Sequence, residues 1–171
     1  MAVTVASAFV SYSAHLLDED FFPRIRVAVE HLTDEQVWWR PNEASNSIGN
    51  LMLHLRGNMM QWIVNGVGGK PFVRDREKEF SERSVLPRQK LFAMLEDAVA
   101  QSVTVLRQLD PATLNTRKAI QGNDVTVLEA VYHVVEHFSM HTGQILLLTK
   151  MLTSKDLQLY EFPGGAARKR W

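Results

Sequence analysis

The sequence contains no cysteine, and this absence narrows the chemistry that the chain can perform. It excludes a disulfide framework, a cysteine-ligated zinc site and a cysteine nucleophile. Any thiolate that takes part in a reaction must therefore arrive with a second substrate. A chain without cysteine also fits a reducing compartment, so we expect a cytoplasmic protein.

Long hydrophobic runs and an excess of one charge are missing as well. No uninterrupted apolar stretch of about 18 residues occurs, and the amino terminus has no basic segment followed by an apolar core, so we expect neither a membrane span nor a signal peptide. The 19 Lys and Arg residues balance the 19 Asp and Glu residues, which gives a net charge of +0. Because binding to nucleic acid or to an anionic membrane depends on clustered basic residues, we expect neither partner.

The apolar content of the chain is sufficient for one core. At 171 residues and 46% hydrophobic composition, the chain is short for two domains, so we predict a single domain over residues 1–171. Pro23 lies inside the first helical pattern and predicts a kink or a break there. Apolar residues recur at helical spacing in four stretches, at about 3–32, 45–65, 87–109 and 123–153. These stretches predict an all-α fold.

A long connector separates the second and third predicted helices. Residues 66–86 are rich in glycine and charge, which is typical of a connecting segment. About 20 residues can extend over roughly 66 Å, whereas the preceding helix is only about 28 Å long, so the connector can cross the whole bundle. The sequence leaves two positions open for its acidic residues Asp75 and Glu79, over the functional site or away from it.

Shorter segments complete the chain. Thr33 and Gln36 have the spacing of a capping box, and Thr126 and Glu129 repeat it before the last helix. Residues 114–125 have no helical period and are expected to be irregular or a short hairpin around a Gly122-Asn123 turn. The last residues, 154–171, are expected to form a turn-rich tail.

Three of the six histidines lie on the last predicted helix, at His133, His137 and His141. Side chains four residues apart share a helix face and lie about 6 Å apart along the axis, so an adjacent pair can bind one metal ion. From the first to the third histidine the side chains rotate by about 80° around the helix axis. We therefore expect two of them to bind the ion and the third to have another role. A simpler interpretation makes them hydrogen-bonded residues of the core.

The second predicted helix supplies a further ligand candidate. His54 lies there among apolar residues, and Asn50 and Asn58 share its stripe at a spacing of four. Polar groups ordered along a helix beside the core form either a satisfied network or the wall of a site. Next to the paired histidines of the last helix, His54 is the natural third ligand.

Two other metal motifs fit less well. His133, Glu136 and His137 spell H-x-x-E-H, the inverted zinc-protease motif, in which the glutamate acts as a base. That motif needs a carboxylate ligand farther along the chain, and only Asp156 and Glu161 follow, both in the predicted tail. A di-iron carboxylate bundle needs Glu-x-x-His motifs, and no glutamate of this helix has a histidine three residues on.

The remaining candidate residues surround the histidines or lie in the connector. Glu136 and His133 are candidates for proton transfer or for contacts behind the metal ligands. Either Arg74 or Arg76 can bind an anionic group of a substrate, or both belong to a solvated and mutually paired charged segment. The candidates for contacting a substrate are Asn58, Trp62, Arg76 and Gln144.

Three segments together carry a family resemblance. They are NSIGNLMLHLRGN around His54, RDREKEF in the connector, and EHFSMHTGQILLLTKML around His137 and His141. The chain resembles the DinB-like (YfiT-like) superfamily, in a branch described only as of unknown function, from the WWRPNEASNS segment to the FPGG near the end. The resemblance implies an up-down-down-up four-helix bundle, often a homodimer, in which His54, His137 and His141 hold one divalent metal ion.

The resemblance also implies two kinds of activity. Some members of the superfamily resemble transferases or isomerases that use a low-molecular-weight thiol, and others resemble metal-dependent hydrolases. A divalent ion on three imidazoles keeps open coordination positions and can activate a bound water or thiol against a small-molecule substrate. Imidazole ligands suit zinc, nickel or iron(II). A non-catalytic metal-binding or purely structural bundle is the alternative.

Overall fold

The computed structural model describes residues 3–171, and most of them are helical, as the sequence predicts. Two π-helical segments, Leu16–Phe21 and Met60–Val67, join the first two helices and extend the fourth. The α-helices are α1 (Val5–His15), α2 (Phe22–Glu30), α3 (Asp34–Trp38), α4 (Ile48–Met59), α5 (Arg76–Ser81), α6 (Arg88–Gln108) and α7 (Val127–Thr153). The strands are β1 (Arg117–Ile120), β2 (Asn123–Thr126), β3 (Tyr160–Glu161) and β4 (Arg168–Lys169).

Both predicted capping boxes are confirmed. At the start of α7 the Thr126 hydroxyl accepts from the backbone N–H of Glu129, and the Glu129 carboxylate accepts from the backbone N–H of Thr126 at 2.7 Å. Thr33 and Gln36 form the same reciprocal pair at the start of α3. These bonds satisfy backbone donors that have no partner inside a helix, and they fix where each helix begins.

The predicted interruption at Pro23 takes the form of a π-helical segment rather than a break. Pro23 lies in the first turn of α2, directly after Leu16–Phe21. In an α-helix the N–H of residue 23 would bond the carbonyl of Glu19, and proline has no N–H to donate. The indole Nε1 of Trp171 donates to that carbonyl instead, at 3.1 Å. The tail thus packs against the first helical segment.

The segment before α7 is a β-hairpin. Strands β1 and β2 pair antiparallel, with Ile120 opposite Asn123. Gln121 and Gly122 make the turn, one residue earlier than predicted, and both have positive φ angles, 53° and 78°. Two central residues with positive φ are the signature of the tight hairpin turn that matches the twist of the strands.

Helix packing places α4 beside α7. Helix α4 contacts both α6 and α7, α1 contacts α6, and α2 contacts α7. The buried apolar residues form one cluster, in which Leu55 and Met59 of α4 and Phe138 and Ile145 of α7 are fully buried. Burial of each such side chain stabilises the fold by about 1.5–3 kcal/mol, so the relative position of these two helices is firmly held.

The connector folds back onto α4 through its own short helix, α5. At its far end, the indole Nε1 of Trp38 donates to the carbonyl of Leu86 at 2.9 Å. Arg88, the first residue of α6, donates through one guanidinium nitrogen to three carbonyls at the end of α2, those of Val29, Glu30 and Leu32. Within residues 3–171, the helices are all too short or too polar to span a bilayer.

Candidate metal centre

His54 of α4 and His137 and His141 of α7 bring their Nε2 atoms together in the core. His137 Nε2 lies 2.9 Å from His54 Nε2 and 3.1 Å from His141 Nε2. The three residues are buried, with exposed fractions of 7%, 9% and 8% for His54, His137 and His141. Their ligand nitrogens all lie within 4.8 Å of one another, so these residues can hold a metal ion.

Hydrogen bonds behind the rings decide where the protons lie. His54 Nδ1 is 2.9 Å from Glu79 Oε2, and His141 Nδ1 is 2.6 Å from Gln144 Oε1. A carboxylate and an amide oxygen only accept, so they favour a proton on both Nδ1 atoms, although the donor Arg74 Nη2 also lies 3.0 Å from His54 Nδ1. With the proton on Nδ1, each neutral ring presents a lone pair at Nε2. His137 Nε2 can donate to only one of them, so at least one Nε2–Nε2 contact joins two lone pairs. A cation between the rings removes this conflict.

The distances and protonation states also fit a metal ion. Two imidazole nitrogens that bind one ion at about 2.1 Å lie roughly 3.0–3.4 Å apart at right or tetrahedral angles. Burial, and after it the charges of the neighbouring histidines, lower the pKa of His137 to about 3. Burial also lowers the pKa of His141, although the bond to Gln144 acts in the opposite direction. Both rings are neutral near pH 7, and neutral imidazole is the form that binds metal.

Glu79 of α5 connects the connector to His54. Its Oε1 accepts from Arg74 Nε at 2.7 Å, and its Oε2 accepts from Arg74 Nη2 at 2.7 Å and from His54 Nδ1 at 2.9 Å. Burial acts to raise the pKa of the Glu79 carboxyl, but the hydrogen bonds and charges of Arg74 and His54 outweigh it and lower the pKa. A buried carboxylate therefore lies directly behind one candidate ligand.

The sequence left the position of the connector open, and the structure places α5 against the site. The sequence signal for this contact is a glycine inside α4, because Gly57 lies three residues after His54 and next to it on the helix surface. A Cβ atom at Gly57 would lie 1.8 Å from Glu79 Oε1 and 2.9 Å from Arg74 Nε. Glycine at this point leaves the space that the Glu79–Arg74 pair fills.

His133 lies one turn from the three converging histidines, beside two predicted substrate residues. Its Nε2 accepts from Asn58 Nδ2 at 3.1 Å, and its ring centroid lies 4.4 Å from that of Trp62. Burial lowers the pKa of His133, although the charge of Glu136 acts against this effect. Asn58 Oδ1 is buried and has no hydrogen-bond partner among the described residues.

Glu136 and Arg76 lie outside the buried group of three histidines. Glu136 is exposed and lines a surface cavity together with Tyr132 and Met140. Arg76 is exposed, with its guanidinium 5.1 Å from the centre of the Phe80 ring. The structure thus groups His137 with His141 and His54, rather than with the other members of the H-x-x-E-H motif.

Fold and site together define a mostly helical protein with a candidate metal centre. The sequence pattern of the family described as "Protein of unknown function (DUF1572)" matches residues 19–166, and the chain belongs to this family. No curated protein matches the chain significantly.

Two crystal structures have a similar fold. A conserved protein from Enterococcus faecalis has a TM-score of 0.69 and 18% identity, over 90% of this chain and 100% of that one. A DinB-like protein from Bacillus cereus has a TM-score of 0.65 and 16% identity, over 89% of this chain and 95% of that one. At these identities the likeness concerns the fold alone. The chain thus has the fold of a DinB-like protein and belongs to a family of unknown function, which agrees with the resemblance that its sequence carries.

Proposed function

We propose that this protein is a metal-dependent enzyme, in which His54, His137 and His141 hold one divalent ion per chain. The observation that carries the proposal is the convergence of three buried Nε2 atoms, two of which have lone pairs fixed by the acceptors behind their rings. Three neutral imidazoles leave the charge of a divalent ion uncompensated, which is typical of catalytic rather than structural sites. Zinc or nickel is the first candidate and iron(II) the next.

The reaction we propose is attack on a small electrophile by a low-molecular-weight thiol or by water. A divalent ion bound to the three histidines would supply a lowered pKa for the attacking thiol or water. Because the chain has no cysteine, the thiol would have to come from a cosubstrate. The lowered pKa of His133 keeps its ring neutral near pH 7, the state that can take up a proton.

Four residues are proposed to contact the substrate. The buried Asn58 Oδ1, which has no partner among the described residues, supports this role for Asn58, since buried polar groups are normally hydrogen-bonded. Trp62 lines the same region through its contact with His133. Gln144, exposed beside His141, and Arg76 on α5 are proposed to contact the substrate at the edge of the site, and Glu136 to exchange protons with solvent.

Elemental analysis of the native protein, purified without an affinity tag, tests the metal site. We expect about one divalent ion per chain in the wild type, and loss of this ion in the His54→Ala, His137→Ala and His141→Ala variants. His31→Ala is the matched control, because His31 is exposed at the end of α2. Full occupancy in all three site variants would show that the ion is bound elsewhere.

Cobalt(II) substitution tests the reaction class. A thiolate that binds cobalt(II) produces a charge-transfer band in the near ultraviolet, and this chain contributes no cysteine of its own to such a band. We expect the band to appear when 2-mercaptoethanol is added to the cobalt protein. A spectrum that changes with neither this thiol nor azide would reject an open coordination position and, with it, the enzyme.

A non-catalytic metal-binding bundle is the second candidate, and one observation favours it. All three histidines are less than a tenth exposed, as expected of a closed site. The closed site predicts tight metal binding together with a cobalt spectrum that does not respond to added thiol or azide. The same experiment therefore separates the two functions.

We also propose that two chains form a homodimer through α7. Glu136 and Lys150 of this helix lie seven residues before and after the exposed Gly143, so an antiparallel pair of α7 helices would bring each glutamate near the partner's lysine. Unlike charges in this position stabilise a helix pair and fix its direction. The same side of α7 exposes a stripe of apolar side chains, namely Leu128 (39%), Tyr132 (62%), Met140 (47%), Leu147 (59%) and Met151 (55%).

Sedimentation analysis of charge-reversed variants tests the dimer. We expect a dimer for the wild type, weaker association for Glu136→Lys and for Lys150→Glu, and recovery in the double variant. Tyr12→Glu is the control, because Tyr12 is as exposed as Tyr132 of the apolar stripe but lies on α1. A wild type that sediments as a monomer at all concentrations would reject the dimer.

Two further proposals concern the course of the helices and the location of the protein. His54 pairs with His137 and, one turn later, Asn58 pairs with His133, which supports opposite directions for α4 and α7, as in an up-down-down-up bundle. An experimentally determined structure would check these helix directions.

The lack of cysteine supports a cytoplasmic location, which cell fractionation would test.

A further inference from the structure

The carboxylate of Glu79 is held in one position from several sides. The Glu79 side chain is 9% exposed, and the side chain of Arg74, whose guanidinium contacts both carboxylate oxygens, is 5% exposed. The two Arg74 bonds are 2.7 Å each and form a bidentate fork, the strongest arrangement for such a pair. The third guanidinium nitrogen, Nη1, donates to Gln61 Oε1 at 2.9 Å, which ties Arg74 to the helical segment after α4.

The backbone of α5 is anchored to α4 as well. Asn50 Nδ2 donates to the carbonyl of Glu79 at 2.9 Å and to that of Glu82 at 3.2 Å. The ring of Phe80 lies against that of His54, with centroids 4.6 Å apart. Side chain and main chain of Glu79 are thus both fixed relative to His54.

A buried ion pair of this kind has two possible roles. It can be a packing element, and buried ion pairs are weak evidence for a contribution to stability, because removing two charges from water is costly. The alternative follows from the partner that the carboxylate contacts. A carboxylate that accepts the second ring proton of a metal-binding histidine fixes its tautomer and ring orientation and raises its basicity.

We propose that Glu79 is a positioning residue of the metal centre, which holds His54 with its proton on Nδ1 and its Nε2 lone pair directed at His137 and His141. Arg74 acts through Glu79, because its fork keeps the carboxylate behind the ring and prevents it from turning towards the ion. The connector thereby belongs to the site, because its Glu79 prepares His54 to bind the ion. This inference rests on the proposed metal-binding function and adds the residue that prepares one ligand.

Zinc affinity, measured by competition with a chelating dye, tests the role of Glu79. We expect Glu79→Gln to weaken zinc binding about 10-fold and Glu79→Ala up to about 100-fold, the range for loss of a partner behind a ligand. Glu77→Gln is the matched control, because Glu77 is exposed on the same helix, and its affinity should equal that of the wild type. Arg74→Met should weaken binding in the wild type and add little in the Glu79→Ala variant.

A direct readout of the ring proton separates positioning from packing. Long-range ¹H–¹⁵N correlation spectra of the imidazoles report which nitrogen is protonated. With zinc absent, we expect His54 to be protonated on Nδ1 in the wild type and in Glu77→Gln, and to be a mixture of both tautomers in Glu79→Ala. A variant that unfolds would be visible in the same spectra, and the isosteric Glu79→Gln would then decide the result through its affinity.

The outcomes distinguish this inference from the proposed function. If the wild type binds zinc and the Glu79 variants bind it equally well, Glu79 is a packing residue and the metal site stands. If the wild type binds no zinc at all, the metal site and the positioning role are both wrong. Unchanged protonation of His54 in Glu79→Ala would also overturn the positioning role, whatever the affinity.

Discussion

Gly57 and Gly143 are both glycines inside a helix, but their surroundings differ sharply. A Cβ atom at Gly57 would meet the Glu79 carboxylate at 1.8 Å, whereas a Cβ at Gly143 meets no atom within 4 Å. Alanine is favoured over glycine in a helix by about 1 kcal/mol. The space around each glycine therefore decides whether Gly→Ala stabilises or destabilises the protein.

We therefore expect Gly57→Ala to lower the free energy of unfolding by about 1–3 kcal/mol, because the added methyl group displaces the Glu79–Arg74 pair. Gly143→Ala should raise it by about 0.5–1 kcal/mol. Urea denaturation of the two variants and the wild type measures both effects. A stabilising Gly57→Ala would mean that the ion pair does not occupy the space beside α4.

Gln144 allows the candidate ligand His141 to be tested in the same way as the candidate ligand His54. Its Oε1 accepts from His141 Nδ1 at 2.6 Å. We expect Gln144→Met to weaken zinc binding about 10-fold, since methionine offers no comparable acceptor for the ring proton. Chelator competition measures the change, with Gln108→Met, exposed at the end of α6, as the control. An unchanged affinity would show that solvent replaces the amide oxygen without loss.

At the residue scale, helical spacing predicts the three histidines but not their partners. His137 and His141 are four residues apart on one helix, and His54 stands out among apolar neighbours, so all three are visible in the sequence. Glu79 was not predicted as a partner, because its contact depends on the path of a 20-residue connector, which no periodicity describes. Gln144 was predicted for the substrate, and its bond to His141 depends on a rotamer that spacing does not specify.

At the scale of the elements, the Asn50 side chain forms hydrogen bonds both at the start of α4 and to the connector. Its Oδ1 accepts from the backbone N–H and the hydroxyl of Ser47 at the start of α4, and its Nδ2 donates to connector carbonyls. Asn50→Asp keeps the accepting Oδ1 and replaces the donating amide nitrogen by a second acceptor oxygen. Ser47→Ala does the reverse, because it removes the cap and leaves the connector bonds in place.

We expect Asn50→Asp to lower the free energy of unfolding by about 1–3 kcal/mol, since a buried carbonyl loses its donor. It should also speed trypsin cleavage in the connector, which contains Arg74, Arg76, Lys78 and Arg83. Ser47→Ala should cost about 1 kcal/mol without faster cleavage. Equal cleavage rates for the two variants would contradict an Asn50 role in holding the connector.

The element boundaries show where local rules succeed and where they fail. Capping residues predict the starts of α3 and α7, because the cap bonds are local and depend on residues three apart. The π-helical segment Met60–Val67 was not predicted. A π-helix has a slightly wider turn than an α-helix, and over one or two turns its apolar residues follow the same helical pattern in the sequence. The hairpin turn lies at Gln121 and Gly122, one residue earlier than predicted. Gln121 adopts a positive φ angle, which is more common for asparagine and which the prediction therefore assigned to Asn123.

At the scale of the whole molecule, metal binding should raise the free energy of unfolding and the melting temperature. A ligand that binds only the folded state at 100 times its dissociation constant stabilises it by about 2.7 kcal/mol. For a chain of this length each kcal/mol raises the melting temperature by roughly 2–4 °C, so zinc should raise it by about 5–11 °C. Calorimetry with zinc and then with excess EDTA measures the shift, which should be absent in His137→Ala. An equal shift in that variant would place the ion elsewhere.

The hydrogen bond between Trp171 and the Glu19 carbonyl has a consequence for the order of folding. It joins residues 152 positions apart, and the entropy of closing so long a loop is offset only after the helices between them have packed. We therefore expect Trp171 to dock late in refolding. Stopped-flow fluorescence of a variant in which Trp38, Trp39 and Trp62 are phenylalanine would follow this indole alone, and a signal that precedes helix formation would reverse the order.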